Sequence, residues 1–276
     1  MRLVGGKAIR GVSLLAAGMC LPLLGAPAAG AQPGPPQPVQ PGPAGPVGIG
    51  PAPGPAPVAA PAAQAPLAAP AAQAGCPHVQ VVFARGTTEP PGLGAMGQAF
   101  VDDLRARVGP KSVGVYPVNY PASPQFSTAV EGIRDASTHV QQMADNCPST
   151  QLVLGGFSQG AAVMGFVTTD LVPDGVAPAD VPAPMPADIA SHVAAVALLG
   201  TPSDRFMNVI KQPSVEIGPA YEAKTIELCV PNDFVCSPGN DIAAHARYIS
   251  DGLVLQAADF AAGKLAEQPA EQPVQG

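Results

Sequence analysis

Residues 152–163, Leu-Val-Leu-Gly-Gly-Phe-Ser-Gln-Gly-Ala-Ala-Val, set an apolar run directly against Gly156-Phe157-Ser158-Gln159-Gly160 and a stretch of small residues. A short apolar run bounded by glycine reads as a strand covered on both faces, and the small residues after it read as a helix. The two glycines flank a serine, where a sharp turn brings backbones close together. This is the layout of a strand–turn–helix elbow, G-x-S-x-G, which exposes a serine hydroxyl at a helix N-terminus. There, backbone N–H groups and the helix dipole favour negative charge. A glycine-rich turn opening a buried helix produces the same pentapeptide, so the surrounding chain has to decide.

Around the elbow, strand-like runs at 79–84, 112–116, 151–155, 193–199 and 224–230 alternate with helical spacing at 95–108, 127–144, 158–168 and 241–262. Residues 173–190 are proline-rich and loop-like. Strands alternating with helices predict a parallel sheet with helices on both faces. The elbow then lies at a strand's C-terminal end, the edge where such sheets place their chemistry.

The ends of the chain have a different character. Arg2, Lys7 and Arg10 precede an uncharged apolar stretch, 11–24, and Ala29-Gly30-Ala31 supplies small residues for cleavage. Residues 1–31 therefore read as an export signal, with Cys20 in the discarded part. The apolar stretch is too short for a comfortable membrane span, so no integral span is expected in the mature chain. Residues 32–75 carry 14 prolines and no charge, which forbids helix and sheet and favours an extended spacer associated with a cell envelope. Residues 265–276 read as a disordered tail. One domain, 76–264, is left, long enough for a well-buried core.

Removing 1–31 leaves 10 Lys+Arg against 20 Asp+Glu, a formal charge of −10. Nucleic acid and anionic membranes both require a basic surface, so neither is expected as a partner. Four cysteines remain, Cys76, Cys147, Cys229 and Cys236. An even count in an exported chain reads as two disulfides, although sequence permits three pairings.

A serine hydroxyl needs a base to take its proton, and the base needs a third group to hold its tautomer. Of the four histidines, His78 and His192 precede strands and fall at the wrong edge, and His139 lies on a helix before the elbow. His245 follows the last strand and alone combines the right edge with the order Ser…Asp…His. For the acid, Asp233 lies between Cys229 and Cys236, twelve residues before His245. If those cysteines are bonded, the carboxylate sits in a small closed loop. Asp241 and Glu227 are the rivals, one resembling a helix N-cap and the other falling within a strand. Scattered histidines and disulfide-spaced cysteines offer no compact metal-ligand set.

Four segments now stand in order: Ala84-Arg85-Gly86-Thr87-Thr88-Glu89, the elbow, Cys229 to Cys236 around Asp233-Phe234-Val235, and Asp241 to Tyr248 around His245. Together they resemble the cutinase family, in its actinobacterial, mycobacterial-type branch of secreted esterases. The resemblance covers about 76–262 and implies an α/β fold: a three-layer αβα sandwich on a central, mostly parallel five-stranded sheet. It also implies a catalytic triad of Ser158, Asp233 and His245, an oxyanion hole of Thr87 and Gln159, and disulfides Cys76–Cys147 and Cys229–Cys236. No metal or organic cofactor is implied. The substrates implied are lipid or polyester acyl esters, taken by a monomer with a small, uncovered site. Residues 32–75, 173–190 and 217–221 do not map onto the fungal members. Two alternatives stand beside this reading: a cell-envelope acyltransferase using the same triad, and a non-catalytic surface or adhesion protein on the same fold.

Overall fold

The computed structural model describes residues 75–267. The signal-peptide reading, the linker reading up to residue 74 and the tail beyond Glu267 lie outside the described residues. Five strands, β1 (Val79–Ala84), β2 (Val113–Pro117), β3 (Gln151–Phe157), β4 (Val193–Leu199) and β5 (Thr225–Leu228), form one sheet in the order β2-β1-β3-β4-β5. Every neighbouring pair is parallel. The helices are α1 (Gly94–Arg107), α2 (Ala129–Asn146), α3 (Gln159–Thr168), α4 (Asp204–Val209), α5 (Pro219–Glu222) and α6 (Leu253–Glu267).

β1 is buried along its whole length because both of its faces are covered. Val79, Val81 and Phe83 share a core with Phe100 and Leu104 of α1 and Ala257 and Ala261 of α6. Val82 and Ala84 face the other way, into a core with Val140 of α2 and Val163 of α3. Period-two alternation along the central strands thus feeds two separate cores, which makes the three-layer sandwich. From β1 the chain first moves outward to β2, then returns to the other side of β1 for β3, β4 and β5. The order reverses between β1 and β3, the kind of switch point beyond whose C-terminal strand ends such sheets place their ligands. Thr87 follows the first of these strands and Ser158 the second.

The structure corrects the expected helix over 241–262. α6 begins at Leu253, and the chain before it forms a 3-10 turn at Ala243–Ala246 followed by further turns to Gly252, which has φ +77°. The cause is a competing set of bonds. Asp241 pairs with the 232–234 backbone, its N–H donating to Asn232 O at 3.0 Å and its carbonyl accepting from Phe234 N–H at 3.3 Å. Its carboxylate caps Ala243 N–H at 2.9 Å, so the side chain with N-cap character caps a tight turn in place of a helix. At the other end, α6 runs three residues into the segment read as tail, and Leu265 is buried. The expected loop at 173–190 ends in a 3-10 turn, Ala187–His192, and the short helices α4 and α5 carried too little periodicity to be read.

Two disulfides are present. Cys76–Cys147 joins the segment leading into β1 to the C-terminal cap of α2, and Cys229–Cys236 closes the loop after β5. On α2, His139 stacks on Tyr116 of β2 with ring centroids 3.5 Å apart, and its Nε2 is buried without a partner among the described residues.

Because Cys76 and Cys147 are 71 residues apart, opening that bridge frees a long loop in the unfolded chain. The Cys76→Ser, Cys147→Ser variant should lose about 4 kcal/mol of stability in urea titration, and a loss below about 1 kcal/mol would contradict the loop-closure account. A second prediction concerns pH. Burial pushes His139 below the ordinary imidazole value, with Asp135 opposing the shift. As pH falls through about 6.5, the unfolded chain takes up a proton here that the folded chain resists, so stability declines toward acid. His139→Phe should bring the urea midpoints at neutral and mildly acid pH closer together than in the parent; an unchanged gap would assign the acid sensitivity elsewhere.

Candidate active site

Ser158 occupies the turn between β3 and α3 with φ 56° and ψ −119°, a backbone conformation that costs a non-glycine residue energy. Its N–H is held by Leu199 O of β4 at 2.8 Å. The flanking glycines are required by space. A Cβ on Gly156 would stand 2.2 Å from Gly160 O, and one on Gly160 would stand 2.0 Å from Ala84 O. The turn therefore survives only where two backbones touch without side chains between them.

Thr87 sits in the loop after β1, and that loop is tied down from several directions. The Glu89 carboxylate accepts the N–H groups of Gly86 at 2.6 Å and of Ala95, in the first turn of α1, at 2.9 Å. The buried Arg85 guanidinium donates to the carbonyls of Glu89, Val118 and Tyr120, and Thr88 N–H donates to Ala122 O at 2.7 Å. Gln159 extends the network, because its side-chain amide donates to Ser123 O at 2.9 Å. The N–H and hydroxyl of Thr87 and the N–H of Gln159 have no acceptor among the described residues. Unclaimed donors on two loops at the same sheet edge are what an anionic oxygen needs.

Asp233 is fully buried, inside the loop closed by Cys229–Cys236. A buried carboxylate is tolerated only when donors meet it. Here Val235 N–H reaches Oδ1 at 2.8 Å, while His245 Nδ1 and the Tyr248 hydroxyl reach Oδ2 at 2.7 Å each. The rivals lie elsewhere: Asp241 is exposed and capping its turn, and Glu227 is exposed on β5.

His245 lies in the 3-10 turn after β5, its ring stacked on Phe157 with centroids 4.9 Å apart. With Nδ1 on Asp233, its Nε2 stands 2.8 Å from Ser158 Oγ. Serine, imidazole and carboxylate thus form one continuous hydrogen-bonded chain, a geometry in which the imidazole is held to accept the serine proton. The other histidines are occupied differently. His78 joins β1 to the 112 turn through Ser112 at 2.8 Å, His139 stacks on Tyr116, and His192 ends a 3-10 turn before β4.

Two side chains stand in segments quoted from the sequence without a role assigned to them. Glu89 fastens the Thr87 loop to α1, and buried Tyr248 donates to the Asp233 oxygen that also accepts from His245. Burial and the adjacent carboxylate raise the Tyr248 phenol far above its ordinary value, which keeps it a donor. Their spacing from the elbow carries no period, so only the fold brings them in.

Comparisons with known proteins place the chain in a family. A family model described as Cutinase matches residues 75–265. "Probable carboxylesterase Culp5" of Mycobacterium tuberculosis is 59% identical over 172 residues, covering 62% of this chain and 98% of that protein. "Phospholipase Culp4" of the same organism is 47% identical over 192 residues, covering 70% and 80%. A solved structure, the Trichoderma reesei cutinase in complex with a phosphonate inhibitor, matches with a TM-score of 0.53 at 30% identity, over 69% of this chain and 77% of that one.

Tyr248→Phe should keep the fold and leave Asp233 one donor short. The rate of Ser158 labelling by a fluorophosphonate should fall about tenfold, the size expected for a hydrogen bond to a charged group. An unchanged rate in a folded variant would remove Tyr248 from the positioning of Asp233.

Proposed function

The chain belongs to the cutinase family and is a carboxylic ester hydrolase, and on that premise we propose that it is exported and cleaves acyl esters of lipids or polyesters with Ser158 as nucleophile. The observation that carries this reading is the Ser158–His245–Asp233 chain of bonds at 2.8 and 2.7 Å. Ser158 Oγ attacks the ester carbonyl carbon while His245 Nε2 takes its proton. The carbonyl π electrons move onto oxygen, and that oxyanion is met by donors of Thr87 and Gln159, each typically worth about 2.7–4 kcal/mol in the transition state. Collapse breaks the bond to the alkoxy oxygen, which leaves with the proton from His245, and the acyl group remains on Ser158. Water then repeats the sequence with His245 as base, releasing the acid and restoring the serine. Asp233 holds the imidazole tautomer and stabilises its charged form without itself becoming protonated.

Export is supported by the basic, apolar and small-residue order of 1–31 and by two disulfides, which persist in oxidising surroundings. No helix among the described residues is long and apolar enough to cross a membrane. The uncharged segment 32–75 then acts as the spacer between the catalytic domain and the cell envelope.

Ser158→Ala should lose fluorophosphonate labelling altogether. Its hydrolysis of nitrophenyl esters should fall by about 10⁴-fold or more, as when the nucleophile of such a unit is removed. Equal labelling of parent and variant would sink the assignment.

A further inference from the structure

A cavity of about 210 Å³ lies beside the catalytic edge and includes none of Ser158, Asp233, His245 or Thr87 in its wall. Its floor is the groove between α2 and α3, lined by Val130, Ile133 and Phe166, with Phe126 at the α2 end. Its roof is the segment 169–184, which adds Val176 and Val181. That roof is made of turns, with Val176 N–H on Pro173 O at 3.1 Å and Asp180 N–H on Ala177 O at 2.9 Å. Prolines 173, 178, 182 and 184 fix its φ angles and stiffen it. The one charged residue in the lining, Asp180, is exposed. This space is larger than the ~150 Å³ apolar cavity that accepts a benzene-sized guest. The wall is mainly apolar, with Ser127, Ser137, Thr169, Gln212 and Asp180 as its polar members, and it suits an uncharged hydrocarbon.

The position of the cavity says which hydrocarbon. Its α2 wall starts at Phe126, three residues after Ser123, whose carbonyl accepts from the Gln159 side chain. Its α3 wall, Phe166 and Val167, stands on the helix that Gln159 opens, roughly 10–12 Å further along at 1.5 Å per residue. Leu171, an exposed apolar side chain, also belongs to the lining. The cavity wall thus lies within reach of a long extended alkyl chain attached at Ser158.

Resting on the reading of Ser158 as nucleophile, we infer that the cavity under 169–184 holds the distal part of a long alkyl chain on the acyl side of the ester. The site makes the enzyme selective for long-chain over short-chain acyl esters, because each methylene that enters leaves water.

Two measurements test this. The first is kcat/KM for nitrophenyl butyrate and nitrophenyl laurate, in the full chain and in Val176→Trp and Val181→Trp, which fill the cavity from its half-buried roof. Butyrate hydrolysis should stay within twofold of the parent and certify the fold, while the laurate-to-butyrate ratio should drop about tenfold, the loss of roughly two buried methylenes. An unchanged ratio in both variants overturns the inference while the esterase reading stands. No hydrolysis of either ester by the parent would instead overturn the esterase reading, and the inference about its substrate with it. The second measurement is independent of turnover. The chain has no tryptophan, so Phe166→Trp places a single reporter in the cavity wall. A bromine-labelled stearate should quench its fluorescence saturably, and Val176→Phe in the same background, which fills the cavity without adding a second tryptophan, should raise the concentration needed. Absence of saturable quenching counts against the cavity as an alkyl site.

Discussion

Asp233 is a carboxylate with no exposed surface, and much of the candidate active site follows from what is needed to keep it there. Its lone pairs are met by a backbone N–H, a phenol and an imidazole, and each comes from a different turn of the chain. Burying such a group without donors costs several kcal/mol, so the loop has to be closed around it. The Cys229–Cys236 bridge supplies covalent closure, and the pairing of Asp241 with 232–234 supplies the second wall. The same requirement breaks the last helix. A continuous helix from Asp241 would tie up the backbone that pairs with the Asp233 loop, and that backbone remains in turns until Leu253.

The second constraint is the close passage of backbones at the elbow. β1 and β3 run side by side to Ala84 and Gly156, and α3 starts so near that Gly160 touches Ala84 O. This contact places the serine turn and the Thr87 loop at the reversal point of the sheet, with the Phe157 ring packed against Gly86. The positive φ of Ser158 is the strain stored there, and the Leu199 bond together with the packed α3 holds it. The Thr87 loop is fixed independently, by Glu89 to α1 and by Arg85 to the 118–120 backbone. The Ser158 hydroxyl and the Thr87 and Gln159 N–H groups are therefore held in place by the fold itself, the preorganisation on which the proposed oxyanion stabilisation rests.

On the far side of α3, the segment 169–184 adds a wall that the catalytic chemistry does not use. Ser158 caps α3 and Phe166 of the same helix lines the cavity, so on the proposed reading one element serves both the length of the acyl chain and the chemistry at its head. The hydrophobic effect grows with each methylene, whereas the attack on the carbonyl does not depend on them.

The strands and the three long helices before β4 were legible because their apolar spacing is local and strongly periodic. Ser158 was legible because glycine on both sides marks a turn in which a Cβ cannot fit, and His245 because sheet topology leaves one histidine at the right edge. The helix over 241–262 was misread because residues 241–252 have helical composition, while the bonds that override it come from residues 232 and 234 of the preceding loop. The roles of Glu89 and Tyr248, and the cavity roofed by 169–184, were not legible at all. Local pattern determines which segments are strand or helix and where the backbone must turn. Only the packed structure decides which donors meet a buried charge and which apolar surfaces enclose a void, because both depend on groups far apart in the chain.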